Sequence, residues 1–251
     1  MRSIRKVMLA AGVASLGTLA LAPSALAGSQ REYEVTITDL TGAGPVAGQP
    51  LTPPVVATHR HRHAIFEVGQ PASVGVREIA ENGNSAPLLA FLEADPLDQF
   101  GDFAESTTGP LVPPGVPGDA MFDQSTTLTV EGDRGAKRLS FVSMLICTND
   151  GFTGVDGMHL PSKVGKSVSA ETNAYDAFTE LNTEDYAHMV PPCQGLIGDT
   201  SGEPGTAVSD PALAEGGVIT HHAGIQGGSD LKPELHGWED PVASIEVERT
   251  G

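Results

Sequence analysis

Basic residues are scarce in this 251-residue sequence. Lysine and arginine together number 14, against 32 aspartates and glutamates, which gives a formal net charge of -18 at pH 7. Such an acidic chain repels the phosphates of nucleic acids and anionic lipids, so neither is an expected partner. Because charged residues are mostly exposed, most of these carboxylates are expected only to solvate the surface.

Long hydrophobic runs are lacking as well. A single apolar stretch, Val7 to Leu21, follows a basic amino terminus and is shorter than the roughly 20 residues that cross a bilayer. It ends before Ala25-Leu26-Ala27, whose small residues suit signal peptidase. Residues 1–27 are therefore predicted to be a signal peptide. Residues 28–251 are predicted to be one exported domain, secreted or periplasmic, with no membrane span.

Motifs that identify common enzyme classes are also missing. The sequence has no Gly-x-Ser-x-Gly elbow, no P-loop and no His-Glu-x-x-His pair. Serine, histidine and aspartate occur, but nothing in their order indicates a catalytic triad. The protein is not expected to be an enzyme.

Only two cysteines are present, Cys147 and Cys193. An even number in an exported chain favours a disulfide, because compartments outside the cytoplasm are oxidising. Two free thiols, or half of a metal site, are the alternatives. We predict a bond between Cys147 and Cys193, with a stabilisation of about 3 to 4 kcal/mol for a loop of this length.

The secondary structure predicted from the sequence is mostly short strands. Residues from Tyr33 to Thr38 alternate, so that Tyr33, Val35 and Ile37 share one face. The other predicted strands are Ala64–Val68, Ser125–Val130, Arg138–Ile146, Gly217–His221 and Ala243–Arg249.

Helices are predicted only for Val76–Glu81 and Ser85–Glu93. Three stretches rich in Gly, Pro, Thr and Ser are predicted to be long surface loops, Thr41–Pro54, Thr107–Gly118 and Gly195–Gly216. Short strands without long intervening helices indicate an all-β protein, an antiparallel β-sandwich with long loops and one or two short helices.

Acidic residues are concentrated in two segments that follow predicted strands or turns. Asn149 and Asp150 stand beside Gly151, where the chain can turn sharply and expose carbonyl oxygens. Asp176 and Glu180 are four residues apart, so one turn directs both carboxylates the same way. Calcium takes about 6 to 8 oxygen ligands, and this set suits it. The spacing is not that of an EF-hand loop, so solvated loop acids are the alternative.

Histidines form a second group of candidate ligands. His59, His61 and His63 alternate, and His221 and His222 are adjacent. Alternating imidazoles on one strand face provide two arms of a zinc or copper site. A histidine-dependent metallo-enzyme or metal-carrying exported protein is thus the alternative function, and hydrogen-bonded or exposed imidazoles are the simpler interpretation.

Several blocks of the sequence resemble, in order, those of one known family. The blocks are Tyr33–Thr38, Leu51–His59, Gly69–Gly83, Ser143–Asp156, Tyr175–Glu180 and His222–Gly227 with Trp238. They resemble the spondin N-terminal domain, which is found in F-spondin and mindin and in many exported bacterial proteins. The resemblance runs through most of the mature chain.

This resemblance implies a C2-like β-sandwich with calcium bound by loop acids at one end. The acid of the family's "SPDW" pattern falls on Asp150, and the two acids of "DAGT[DE]" fall on Asp176 and Glu180. These are the residues that the spacing singles out. The predicted function is a secreted, calcium-binding module that binds an extracellular protein or glycan. A structural surface protein whose acids only keep it in solution is a further alternative.

The chain departs from the family pattern around the predicted site. Thr148-Asn149 replaces Ser-Pro, Gly151 replaces Trp, and Phe178 replaces Gly. A bulky side chain at 178 is expected to shift the backbone that carries the third acid. Asp156 is then a candidate substitute for that ligand.

Overall fold

A computed structural model describes residues 30–43, 48–60, 64–95, 98–133 and 135–251. The predicted signal peptide lies outside these ranges, and so do His61 and His63. Strands in the described part are β1 (Arg31–Asp39), β2 (Val55–His59), β3 (Phe100–Glu105), β4 (Ser125–Gly132), β5 (Arg138–Met144), β6 (Gly151–His159), β7 (Ser167–Thr172), β8 (Ala174–Asp176), β9 (Thr220–His221) and β10 (Ala243–Arg249). Its α-helices are α1 (Val74–Asn82), α2 (Ala86–Ala94), α3 (Pro192–Ile197) and α4 (Pro233–His236).

The strands form two antiparallel sheets, and the predicted all-β sandwich is confirmed. One sheet has four strands in the order β4-β1-β10-β7. The other has six strands in the order β3-β2-β5-β6-β8-β9. Among the described residues, no helix has the length and apolar character needed to cross a membrane.

The core of the sandwich lies between the two sheets. Tyr33, Val35 and Ile37 of β1 are fully buried, as the alternation in the sequence predicts. They belong to one apolar cluster with Leu139 and Phe141 of β5 in the other sheet. Glu32, Glu34, Thr36 and Thr38 take the opposite face, so the four-stranded sheet has one buried and one more exposed side.

A second core covers the other face of the six-stranded sheet. Val142 and Met144 of β5 belong to this cluster, together with Ile79 of α1 and Leu88 of α2. The short helices and long loops thus pack on one side of the six-stranded sheet, and the four-stranded sheet packs on the other. Because β5 is covered on both faces, every residue after Arg138 is buried, including Ser140 and Ser143.

The first predicted helix is confirmed, with slightly wider bounds. α1 begins after Ser73, whose side chain accepts a hydrogen bond from the backbone N–H of Val76 at 3.2 Å. It ends at Gly83, where a φ of 63° favours glycine. The second predicted helix is confirmed as α2.

Some of the predicted secondary structure is wrong. Residues 64–68 contain no strand, since Ile65 and Phe66 are buried from a loop and Phe66 packs edge-to-face on Phe152 at 5.1 Å. The strand predicted at Gly217–His221 has only two residues. The predicted loop 41–54 is not wholly at the surface. Gln49 is fully buried and bonds through its side chain to the backbone of Cys147 and His236.

The predicted disulfide between Cys147 and Cys193 is present. Both cysteines are fully buried in the second core. The bond joins the chain just beyond β5 to α3, on the side of the six-stranded sheet where the loops collect.

Candidate functional site

A tight turn between β5 and β6 positions Asp150. The hydroxyl of Thr148 donates to the carbonyl of Leu145 at 2.7 Å and accepts from the N–H of Gly151 at 2.9 Å. A Cβ atom on Gly151 would lie 2.5 Å from that hydroxyl oxygen. The two departures from the family pattern at 148 and 151 therefore fit each other, because Thr148 fills the space that a side chain at 151 needs.

The Asp150 carboxylate is fully buried and its two oxygens differ in environment. Oδ2 accepts hydrogen bonds from the backbone N–H groups of Thr179, at 2.7 Å, and Glu180, at 3.0 Å. The Thr179 hydroxyl donates to the same oxygen at 3.2 Å. Oδ1 has no hydrogen-bond partner in the described part of the chain. One oxygen thus anchors the neighbouring segment and the other is available to a ligand.

Asn149 extends this anchor along the same segment. Its Oδ1 accepts from the backbone N–H of Thr183 at 3.0 Å, and its Nδ2 donates to the Thr183 hydroxyl at 3.1 Å. Two consecutive side chains therefore hold residues 179–183 against the β5–β6 turn. The sequence places Asn149 at the turn beside Asp150 but does not indicate that its side chain bonds to Thr183.

Asp176 lies next to this turn because β8 pairs with β6. Its Cα partner in the register is Gly151, the residue after Asp150. Asp176 Oδ1 accepts from the N–H of Phe178 at 2.7 Å, and Oδ2 accepts from the side-chain amide of Asn182 at 2.7 Å. Burial, followed by the negative charge of Asp176, raises the pKa of Asp150 to about 7. The two carboxylates are therefore close enough to repel each other.

Phe178 takes the backbone conformation that glycine favours. Its φ is 54°, in the left-handed region. Room for it comes from Gly217, where a Cβ atom would lie 2.6 Å from the Cβ of Phe178. The N–H of Gly217 donates to the carbonyl of Phe178 at 3.1 Å. A left-handed residue at 178 is thus retained despite the bulky side chain.

The structure does not join the Glu180 carboxylate to the two aspartates. Glu180 meets Asp150 through its backbone N–H, while its Oε1 accepts from the N–H of Asp210 at 3.1 Å. Burial raises the pKa of Glu180, and the charge of Glu81 adds to this effect. Within the described ranges, no three His, Cys, Asp or Glu side chains are grouped as a metal site requires.

Asp156 does not replace the third acid. It is exposed on β6, five residues beyond Gly151 and so about 16 Å along the strand. It lines a different cleft, with Glu67 and Arg138.

His222, one of the two adjacent histidines, is a neighbour of Asp176. Thr220 is the register partner of Asp176, and the side chain of His222, two residues on, lies on the same face. Its Nδ1 accepts from the N–H of Gly224 at 3.0 Å, so Nε2 carries the hydrogen of the neutral ring. That Nε2 is buried and has no partner among the described residues. Burial lowers the pKa of His222, and the charge of Asp176 opposes this shift.

His59, the described member of the alternating histidines, uses both ring nitrogens in hydrogen bonds. Nε2 lies 2.8 Å from the Ser140 hydroxyl and Nδ1 lies 2.9 Å from the carbonyl of Arg60. The ring is almost fully buried. This geometry is that of a structural imidazole.

Comparison with known families gives a match that covers more than half of the chain. The family described as Spondin_N matches residues 45–187, a range that includes Asp150, Asp176 and Glu180. The opening strand and the segment around His222 lie outside the matched range. No curated protein matches the chain.

Proposed function

The chain belongs to the spondin N-terminal domain family, and from this we propose that it is an extracellular binding module stabilised by calcium. The family is a non-enzymatic one of extracellular type. The proposal has two specific parts. The domain binds calcium, and it binds an extracellular protein or glycan.

The observation that carries the calcium proposal is the unpaired Oδ1 of Asp150. Buried polar atoms in proteins almost always have a partner, so a buried carboxylate oxygen without one suggests an absent ligand. Asp176 brings a second carboxylate beside it, and each of its bonded oxygens retains a lone pair. Two carboxylates that repel each other provide oxygen donors of the kind that a hard cation prefers.

Asp150 and Asp176 are the residues that would hold the ion. Bound calcium supplies the positive charge that offsets their repulsion. Asp150 Oδ2 already fixes the segment that begins at Thr179, so the same residue would connect the ion to that segment. Ordered loops at this end of the sandwich are the surface we assign to partner binding.

Thermal unfolding of the domain in EDTA and in excess calcium tests the calcium proposal. Calcium at 100 times its dissociation constant adds about 2.7 kcal/mol to the free energy of unfolding. For a chain of this size, that corresponds to a rise in Tm of about 5 to 10 °C. Asp150→Asn and Asp176→Asn should each abolish the rise.

The matched control is Asp156→Asn, which removes an exposed carboxylate from β6, the strand that follows Asp150. This variant should keep the full calcium-dependent rise in Tm. An unchanged Tm for the parent protein in calcium would refute the calcium proposal.

A further inference from the structure

A cleft of about 770 Å³ lies beside α1, away from the unpaired oxygen of Asp150. Its walls come from α1, from residues 178–180 and from the loop 207–217. Leu181 N–H donates to the carbonyl of Leu213 at 2.9 Å, and Glu215 N–H donates to that of Thr179 at 2.9 Å. These bonds fix the loop against the segment that carries Glu180.

Two buried carboxylates line this cleft. Glu81 is 5% exposed and Glu180 is 4% exposed. The Ser209 hydroxyl donates to Oε2 of Glu81, and the Asp210 N–H donates to Oε1 of Glu180. The second oxygen of each carboxylate makes no hydrogen bond within the described residues. Each buried acid therefore directs one unbonded oxygen into the same cavity.

Within the described residues, no lysine or arginine forms an ion pair with either carboxylate, although the charge of His188 acts against the raised pKa of Glu180. Arg77 is the one basic residue that lines the cleft, and its guanidinium bonds to Glu78 at 3.0 Å. Glu78, Asp210 and Glu215 add further negative charge to the lining. An incoming positive group would thus meet an excess of carboxylates.

Beside polar residues such as Asn82 and Ser209, the lining includes apolar side chains, which favour an organic cation over a metal ion. Phe178 and Val208 contribute to the walls, and Val208 is 72% exposed at the mouth. The cavity is far larger than an ion, and the described acids are not grouped as a metal site requires. An arginine side chain has both parts that this cleft suits, an apolar stem and a planar guanidinium that bonds to carboxylates.

We propose that the cleft binds an arginine side chain presented by a protein partner, with Glu81 and Glu180 as acceptors. The proposal names the partner chemistry of the binding module described above, and so it rests on that function. It does not need calcium at Asp150.

NMR titration with a capped Gly/Ser pentapeptide that carries one central arginine tests the proposal. The same peptide with citrulline removes the charge and keeps the shape. The arginine peptide should shift the amide resonances of residues around the cleft, and the citrulline peptide should not. Glu81→Gln should raise the dissociation constant about tenfold or more, as expected for the loss of a hydrogen bond to a charged group.

Glu246→Gln is the matched control, because it removes the same charge from the exposed face of β10. Its affinity for the arginine peptide should stay within about twofold of the parent value, since an exposed, distant charge contributes little. Val208→Arg provides a second variant that leaves both buried acids intact. It places a like charge at the exposed mouth and should also block the peptide.

Several outcomes would overturn the proposal. Equal binding of the arginine and citrulline peptides would do so, and so would equal weakening by Glu81→Gln and Glu246→Gln, which would indicate attraction to the net charge alone. Displacement of the peptide by calcium, together with loss of the calcium-dependent Tm rise in Glu81→Gln, would assign the cleft to a metal ion. Peptide binding that persists in Asp150→Asn would support the cleft even if the calcium proposal failed.

Discussion

Replacing Asp150 with asparagine should stabilise the calcium-free domain, and more so at alkaline pH. The pKa of Asp150 is about 7, compared with an ordinary value of 3.8. The folded state therefore keeps a proton between these two values that the unfolded state has released. The contribution of Asp150 to the free energy of unfolding consequently falls as the pH rises from about 4 to 7 and is constant above that range. At about 1.4 kcal/mol per pKa unit, the full loss is about 4 kcal/mol.

Asparagine preserves the contacts that matter for folding. Its carbonyl oxygen can accept the N–H groups of Thr179 and Glu180, as Asp150 Oδ2 does. Its amide then takes the place of the unpaired Oδ1, near the negative charge of Asp176. We therefore expect the free energy of unfolding of the variant, relative to that of the parent protein, to increase by about 2 to 3 kcal/mol as the pH rises from 5 to 8.

Urea unfolding in EDTA at several pH values measures this difference. Glu246→Gln, which removes an exposed carboxylate, should show no such trend. In calcium at 100 times its dissociation constant, the advantage of Asp150→Asn should shrink by about 2.7 kcal/mol, because only the parent protein binds the ion. If the advantage of the asparagine variant did not depend on pH, the reasoning about the buried pair would be wrong.

Two further predictions concern the framework. Replacing Cys147 and Cys193 with serine should lower the free energy of unfolding by about 3 to 4 kcal/mol, the amount expected for opening a loop of this length, and chemical denaturation with and without reductant would detect it. Gly154→Ala should destabilise the domain by roughly 1 to 3 kcal/mol, because its Cβ would lie 2.2 Å from the carbonyl oxygen of Phe141. Gly195→Ala, where a Cβ meets nothing within 4 Å, is the control, and equal unfolding midpoints for the two variants would contradict the packing argument.

Three of the four strands in the four-stranded sheet were predictable from the sequence, while β7, whose exposure also alternates, was missed. β1, β4 and β10 belong to the outer, four-stranded sheet, and their alternation made them visible. β2 was missed because all five of its residues are buried, so no alternation marks it. The six-stranded sheet is covered on both faces. Because segments distant in the sequence provide this cover, no local sequence pattern indicates it.

The same limit applies to the site. Asp150 was identifiable because it follows a predicted strand, and Asp176 because of its spacing to Glu180; the pairing of β6 with β8 brings the two aspartates together. The environment of Glu180 depends on Glu81 and Asp210, which are distant in the sequence. No local pattern reports that arrangement. The two aspartates that the sequence groups are thus neighbours in the fold, whereas the Glu180 carboxylate lies apart from them.

Departures from a family pattern are better judged in pairs than one at a time. Gly151 looks like the loss of a large side chain until Thr148 is seen to occupy the space beside it. Phe178 looks incompatible with a glycine conformation until Gly217 is seen to make room for it. In both pairs, a small residue lies against a larger one, which leaves room for the backbone around Asp150 and Asp176. Because the two residues of each pair are in contact, the effect of substituting one depends on the other. A departure from the family pattern can therefore be interpreted only when its contacts are known.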